Sequence, residues 1–200
     1  MFRVYGMTGS GNCHKVRVTL DMLSLPYQWM EVDLFKGTTR TAEFLALNPN
    51  GKIPVLEIEP GNYLPESNAI ICYLAEGTHL MPSDRLARAR VLQWLFFEQY
   101  SHEPYIAVAR FLRKLHRDPE SQRVLADSKM EGGYHALQVM EGHLSRSPFF
   151  VGDRPTVADI ALYAYTHAAP DGGFDLKRFP AVCAWLDRVA SQPGCSVMPS

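Results

Sequence analysis

The chain has 200 residues, of which 46% are hydrophobic, and a formal net charge of −1 from 20 basic and 21 acidic residues. This length and composition suit one folded domain or two small ones and argue against disorder. Because basic and acidic residues are balanced and interspersed, we do not expect a single-sign field of the kind that attracts nucleic acid or an anionic membrane. We therefore expect neither as a partner, and we expect local recognition of a substrate.

The cysteines and the N-terminus favour a cytoplasmic location. The four cysteines show no spacing typical of a zinc site, and a chain of this length does not need disulfides to fold. The first residues lack the basic and apolar regions of a secretory signal, and no apolar run is long enough to span a membrane. We expect a protein of a reducing compartment that needs no metal.

The first eighty residues alternate between strand and helix patterns. The predicted elements are a strand at 2–5, a helix through 23, a strand at 27–32, a short helix at 41–47, strands at 53–58 and 63–64, and a helix from 66 to 75. Turn residues at Leu25–Pro26 and Pro60–Gly61 separate them. This βαβαββα order is the thioredoxin-like pattern of α/β domains, and we place that domain at residues 1–78.

Only helical periodicity follows a connector at 79–83, which predicts an all-α domain at residues 84–200. Pro104 is expected to kink the first long helix, one face of which carries Leu92, Phe96 and Tyr100. A later helix contains the pair Gly132–Gly133, which permits close packing of a neighbour.

Thr156 and Asp159 have the spacing of a capping box, in which the hydroxyl accepts the amide hydrogen of Asp159 and the carboxylate accepts that of Thr156. This pair predicts the start of another helix.

The segment GSGNCHKVRV holds the residues of greatest chemical interest. Ser10 stands where a thioredoxin-like C-x-x-C motif has its first cysteine, and Cys13 keeps the second position. A serine cannot carry out dithiol exchange. As a nucleophile Ser10 would need a general base, and the nearest one, His14, has no third member of a triad at a defensible spacing.

A hydroxyl at a helix N-terminus can instead stabilise a bound thiolate. Lowering a thiol pKa from about 8.5 by two units requires roughly 2.7 kcal/mol, which one charge-assisted hydrogen bond and a helix terminus can supply. The alternative is that Ser10 is a plain N-cap, as most serines before helices are.

Two further features describe a peptide ligand. Ile53–Pro54 begins the third strand, where a cis-proline would leave the backbone of Ile53 free to pair with an extended peptide. Glu66 and Ser67 begin a helix, where Ser67 and backbone amides can bind a carboxylate while Glu66 faces an amine. Together with a thiolate donor, these features predict a site for a thiol tripeptide.

The chain resembles cytosolic glutathione S-transferases over essentially its whole length, in the stretches NPNGKIPVLE, PESNAIICYLAE and VGDRPTVADIALYAY. The phrase SGNCHKV is similar to serine-type classes such as theta and zeta, and to the bacterial nu class, which has threonine in place of Ser10 and an asparagine matching Asn12. The resemblance implies a cytoplasmic homodimer active in detoxification, with glutathione as co-substrate and a hydrophobic electrophile or a disulfide as the second substrate.

The resemblance also implies roles for individual residues. Ser10 would contact the sulfur with Asn12 as second donor, Lys52 would lie near the glycyl carboxylate, Ile53 before Pro54 would pair with the cysteinyl backbone, and Glu66 and Ser67 would hold the γ-glutamyl end. Lys52 can equally be a solvated loop lysine, and Glu66 a first-turn acid that satisfies the helix dipole.

Tyr5 and Cys13 compete with Ser10 for the sulfur. Tyr5 ends the first strand, where tyrosine-type transferases keep their catalytic phenol, but it can simply fill the sheet. Cys13 lies one turn into the helix and is expected to be a packing residue. We expect His14 to face solvent or a partner subunit.

The acceptor site is expected on the kinked helix, at Tyr100, Glu103, Tyr105 and Phe111, with His102 nearby; the alternative is an ordinary packing helix. The predicted function is attack of a glutathione thiolate on an electrophilic small molecule. Glutathione-dependent disulfide reduction and a non-catalytic interaction module remain alternatives.

Overall fold

A computed structural model describes residues 1–199, which divide into two compact units. The first unit contains residues 1–78 together with residues 193–199, and the second contains residues 79–192. The domains predicted at 1–78 and 84–200 stay a prediction, and Ser200 lies outside the described residues. Residues 193–199 pack with the first unit, a placement that helical periodicity alone did not reveal.

The first unit is built on a four-stranded sheet. Its elements are β1 (Phe2–Gly6), α1 (Gly11–Met22), β2 (Tyr27–Glu31), α2 (Ala42–Leu47), β3 (Val55–Glu59), β4 (Asn62–Pro65) and α3 (Ser67–Ala75). The strand order is β2-β1-β3-β4, with β1 parallel to β2 and antiparallel to β3, and β3 antiparallel to β4. The predicted βαβαββα order is confirmed; two single 3₁₀ turns at 34–36 and 38–40 were not predicted.

The core of this unit follows from the helix periodicity. α1 and α3 pack against each other, and their buried faces include Val16 and Leu20 of α1 and Ile70 and Ile71 of α3. Burying a side chain of this size contributes roughly 1.5–3 kcal/mol relative to leaving it exposed. A second cluster, Val32, Phe44 and Val55, holds α2 to the sheet. The pair α1–α3 and the cluster around α2 thus hold these helices in place at the ends of the strands.

The second unit is all-helical, as predicted. Its α-helices are α4 (Arg85–Phe97), α5 (Glu103–Arg110), α6 (Arg123–Asp127), α7 (Met130–Leu144), α8 (Val157–Thr166) and α9 (Pro180–Ala190). The short α6 was not predicted. Trp185, Tyr163 and Met140 are among its largest fully buried side chains.

The break in the long helix does not lie at Pro104. A π-helical turn at Glu98–His102 separates α4 from α5, and another follows α5 at Phe111–Leu115. Pro104 stands in the first turn of α5, directly after this π-helical turn. The predicted kink is therefore a change of helical pitch ahead of the proline.

Close packing at Gly132–Gly133 is confirmed. A β-carbon on Gly132 would lie 2.3 Å from the Tyr105 ring, and one on Gly133 would lie 2.4 Å from Phe174. The rings occupy the space that any larger residue needs, which explains glycines inside α7 despite a cost of about 1 kcal/mol each relative to alanine.

The predicted capping box of α8 is confirmed. The Asp159 carboxylate accepts from the Thr156 backbone N–H at 2.9 Å, and the Thr156 hydroxyl accepts from the Asp159 backbone N–H and also from that of Ala158. Asp159 also accepts from Trp185 Nε1 and from the Phe150 amide. This buried carboxylate ties α8 to α9.

Candidate active site

The register of the sheet gathers three predicted segments at one end. Tyr5 of β1 pairs with Val55 of β3, and Val55 pairs with Pro65 of β4. β1 therefore leads into the loop before Ser10 at the same edge where Ile53–Pro54 precede β3 and where β4 ends at the start of α3. The Ile53–Pro54 peptide bond is cis. Antiparallel pairing thus brings Tyr5 next to Val55, a residue fifty positions later in the chain.

Ser10 is the N-cap of α1, and its hydroxyl oxygen acts as the hydrogen-bond acceptor. Its backbone is extended (φ −88°, ψ 123°), and its Oγ accepts from the Cys13 N–H at 3.4 Å. A hydroxyl has two acceptor lone pairs and one hydrogen to donate. Because capping uses a lone pair, the hydrogen stays available for another acceptor. The N-cap role and the thiolate-donor role of Ser10 are therefore compatible.

A hydrogen-bond network joins α1 to the start of α3. The Ser67 hydroxyl donates to Asn12 Oδ1 at 3.3 Å. Lys15 Nζ donates to Ser67 Oγ at 3.4 Å and to Asn68 Oδ1 at 3.3 Å. Ser67 and Lys15 are buried. The side chains predicted for the two ends of the ligand are thus coupled directly.

Lys15 was missed by the sequence analysis. A buried ammonium group is costly unless hydrogen-bonded, and here two side-chain oxygens at the start of α3 accept from it. The signal was its position three residues after Asn12, on the same face of α1. It places positive charge beneath the segment predicted to bind a carboxylate.

Glu66 precedes α3 in a strained backbone conformation. Its φ is 71° and its ψ is 110°, and its side chain makes no capping hydrogen bond. A positive φ of this kind costs of order 1–3 kcal/mol in a residue other than glycine. The side chain is exposed, so it is available to a ligand.

The loop that carries Lys52 is held by Asn48. Asn48 Nδ2 donates to the Lys52 carbonyl at 2.8 Å, and Asn48 Oδ1 accepts from the Asn50 amide at 3.0 Å. Gly51 has φ +62°, and a β-carbon there would lie 2.8 Å from the Thr39 carbonyl. The loop therefore has one defined path, along which Lys52 is exposed.

The loop between β1 and α1 is fixed by Glu31, a second residue that sequence reasoning missed. Its carboxylate accepts from the Thr8 amide at 2.9 Å, the Thr8 hydroxyl at 2.8 Å and Trp29 Nε1 at 2.6 Å. Burial alone would raise the pKa of Glu31, but these hydrogen bonds outweigh it and lower the pKa. The Glu31 carboxylate thus holds Thr8 in place, two residues before Ser10.

Tyr5 and Cys13 are engaged elsewhere. The Tyr5 hydroxyl donates to Glu57 Oε2 at 3.2 Å, and burial together with that carboxylate raises the pKa of the phenol. Burial raises the pKa of the Cys13 thiol to about 11, against the opposing effect of Ser10. Cys13 is therefore a protonated packing residue at neutral pH.

His14 was predicted to face solvent or a partner subunit, and the first of these is wrong. It is 4% exposed, and its Nε2 lies 2.9 Å from the Ser196 carbonyl. Periodicity in α1 cannot reveal contact with a segment 182 residues later in the chain.

Comparison with protein families gives two matches along the chain. Residues 9–76 match the N-terminal domain of glutathione S-transferases, and residues 94–193 match the C-terminal domain. The chain belongs to the glutathione S-transferase family.

Relatives of this family member include both solved structures and curated proteins. The crystal structure of a glutathione S-transferase from Pseudomonas fluorescens is 54% identical, has a TM-score of 0.96, and the match covers 100% of this chain and 99% of the other. The disulfide-bond oxidoreductase YfcG of Escherichia coli is 32% identical, covering 91% of this chain and 87% of YfcG. The transferase URE2P6 of Phanerochaete chrysosporium, solved with oxidized glutathione, is 28% identical with a TM-score of 0.85, covering 96% and 92%.

The predicted acceptor residues of this glutathione S-transferase lie along one stretch of the second unit. Tyr100 is in the first π-helical turn and 84% exposed, and Glu103 begins α5. Tyr105 packs against Gly132, and Phe111 lies edge-on to His116. His102 is buried against Thr166 at 2.9 Å. A shared acceptor pocket for the first four stays a prediction.

This family member shows neither a metal cluster nor a membrane-spanning helix among its described residues. Within residues 1–199 no group of three or more His, Cys, Asp or Glu side chains is arranged to hold a metal ion. Over the same residues, no helix combines the length and apolarity needed to cross a bilayer.

Proposed function

We propose that the protein is a glutathione transferase in which Ser10 and Asn12 stabilise the glutathione thiolate for attack on an electrophilic small molecule. The observation that carries this proposal is the Ser67–Asn12 hydrogen bond. It couples the helix start predicted to hold the sulfur to the helix start predicted to hold the γ-glutamyl group. A fold retained only for interaction has no need of this coupling.

The chemistry follows from these positions. Ser67, Glu66 and the α3 amides bind the γ-glutamyl group, the Ile53 backbone pairs with the cysteinyl residue, and Lys52 lies near the glycyl carboxylate. The Ser10 hydroxyl and the α1 N-terminus then favour the thiolate, and the thiol proton passes to water. The thiolate forms a bond to an electrophilic carbon as the leaving group departs with its electron pair. Holding both reactants together supplies much of the rate.

Disulfide reduction is a second candidate, which the similarity to the oxidoreductase YfcG favours. The thiolate would attack one sulfur of a disulfide and release the other as a thiol. A second glutathione thiolate would then attack the glutathione sulfur of the mixed disulfide, form oxidized glutathione and release the second thiol. Ser10 supports this route equally, because glutathione supplies both electrons and no enzyme cysteine is consumed.

Two assays test the proposal. The first is retention on immobilised glutathione, which the wild-type protein should show and Ser67→Ala should lose; no retention by the wild type would favour an interaction module. The second compares conjugation of an aryl halide with reduction of hydroxyethyl disulfide. The faster reaction identifies the activity.

The homodimer is part of the proposal. Three exposed apolar side chains, Leu92, Phe96 and Tyr100, follow one another at i, i+4 spacing along α4 and the turn after it. Such a row supports an interface between two copies. Phe96→Asp should shift sedimentation toward a monomer, whereas Val124→Asp, at another exposed apolar position, should not. We also propose a cytoplasmic location, as the cysteine pattern predicted.

A further inference from the structure

The segment after Pro193 follows α1 toward its N-terminus. Gly194, with φ +80°, lies against the C-terminal end of α1, where a β-carbon would come within 2.7 Å of the backbone of Asp21. Two residues later, the Ser196 carbonyl lies 2.9 Å from His14 Nε2, in the first turn of α1. The two contacts fix an extended path along the helix.

The path ends beside Ser10. Met198 and Pro199 line a recess that they share with Ser10, Arg17 and Trp29. The Arg17 guanidinium lies 4.0 Å over the Trp29 ring, and Met198 is buried. About 10 Å³ of free volume remains in the recess, no more than one water molecule occupies. Met198 therefore lies buried in the same nearly filled recess as Ser10.

We propose that Met198, held in place by Gly194 and His14, is a specificity-determining residue that limits the size of the acceptor reaching the sulfur at Ser10. This inference rests on the proposed function, because the position of the thiolate at Ser10 is part of that function. The acceptors it selects are compact electrophiles or disulfides rather than fused-ring aromatics. A methionine suits this role because its unbranched side chain fills irregular space.

Two variants test the inference from different directions. Met198→Ala shortens the side chain and leaves the path of the segment intact. Gly194→Ala displaces the segment, because the new β-carbon meets backbone that cannot give way. Gly61→Ala is the matched control: Gly61 has φ +83° but nothing within 4 Å of the added carbon.

The main readout is the ratio of kcat/KM for chlorodinitronaphthalene to that for chlorodinitrobenzene, with glutathione as the other substrate. If disulfides are the faster substrates, dinaphthyl disulfide and hydroxyethyl disulfide replace this pair. The second readout is acrylamide quenching of tryptophan fluorescence. Trp94 and Trp185 are 9% and 0% exposed, so changes in quenching report Trp29 in the recess.

We expect both variants to raise the ratio about tenfold or more, since the fit of a single extra group in a pocket changes selectivity on that scale. Quenching should rise in both, and Gly61→Ala should match the wild type. An unchanged ratio in Met198→Ala, with normal retention on glutathione, overturns the inference and leaves the proposed function intact. A wild-type protein that neither binds glutathione nor converts any of these acceptors overturns both. If Gly194→Ala does not fold, Met198→Ala decides alone.

Discussion

Ser67 donates a hydrogen bond to Asn12 across 3.3 Å, although 55 residues separate them in the chain. The bond links α3 to α1 at the ends of both helices that point toward the predicted ligand. A change at one end of the ligand should therefore be felt at the other.

A double-mutant cycle of Asn12→Ala and Ser67→Ala should reveal this coupling. Each single change should weaken glutathione binding, and the double change should cost less than their sum by about 1 kcal/mol, the typical worth of one neutral hydrogen bond. Calorimetry of the four proteins measures it. Strict additivity would mean that the two residues act on glutathione independently.

Replacing Lys15 with methionine should weaken both binding and stability. The variant keeps the length of the side chain but loses the donors to Ser67 and Asn68, so KM for glutathione should rise about tenfold with kcat little changed. The melting temperature should fall, because removing the donor to the buried Ser67 oxygen costs about 1–3 kcal/mol. The control is Lys36→Met, at an exposed lysine, which should change neither quantity.

The Ser10 hydroxyl should set the pKa of bound glutathione. Ser10→Ala should return the thiol toward its ordinary pKa of about 8.5, and the thiolate present at neutral pH should fall accordingly. Ser10→Thr keeps the hydroxyl and should retain most of the effect. Ultraviolet titration of each complex measures the thiolate; identical curves for all three proteins would remove Ser10 from the mechanism.

Local sequence patterns predicted the residues of this site that lie at helix starts. Residues whose role depends on contact with a distant segment of the chain could not be predicted from the sequence. Ser10 and Ser67 were found because capping residues are recognisable where a helix begins. Lys15 and Glu31 were not predicted as site residues, because each acts through a hydrogen bond to a residue more than twenty positions away in the chain. His14 was misplaced for the same reason.

The fold shows the same division. Turn residues and period changes predicted the order of strands and helices in the first unit, because each is a local signal. No turn residue or change of period marks the π-helical turn at Glu98–His102. The kink was therefore predicted at Pro104, the nearest residue that interrupts a helix. The short α6 has five residues and buries only Ala126, so its sequence carries no apolar stripe that could have predicted it.

Relieving the strain at Glu66 should cost function. Glu66→Gly should raise the free energy of unfolding by about 1 kcal/mol, because glycine adopts φ 71° without penalty, but it should weaken glutathione binding by removing the carboxylate. Ser24→Gly offers a matched comparison, since Ser24 also has a positive φ and lies outside the predicted site. It should gain stability with no change in binding. Thermal unfolding and calorimetry measure the two effects, and unchanged binding in Glu66→Gly would exclude Glu66 from the ligand contacts.

The ion cluster around Asp171 should make stability depend on pH in the acid range. Asp171 Oδ2 accepts from Arg110 Nε at 3.2 Å and from Lys114 Nζ at 2.8 Å. Burial alone would raise the pKa of Asp171, but the hydrogen bonds from Lys114 and Arg110 outweigh it and lower the pKa below 3.8. A carboxyl with a lowered pKa in the folded state stabilises the protein above the ordinary pKa, and that stabilisation is lost as the pH falls through the folded-state value. Asp171→Asn should therefore cost about 1–2 kcal/mol at neutral pH, with Arg110 left buried, and the difference from wild type should shrink once the pH drops below 3.8.

Urea unfolding of the two proteins across this range measures the difference. The control is Asp127→Asn. Asp127 forms an ion pair with Arg113 and is more exposed than Asp171, so this change should alter stability by less than about 0.5 kcal/mol. A gap between wild type and Asp171→Asn that stays constant down to the acid limit would mean that the charge of Asp171 contributes nothing. The loss would then come from the altered shape of the side chain.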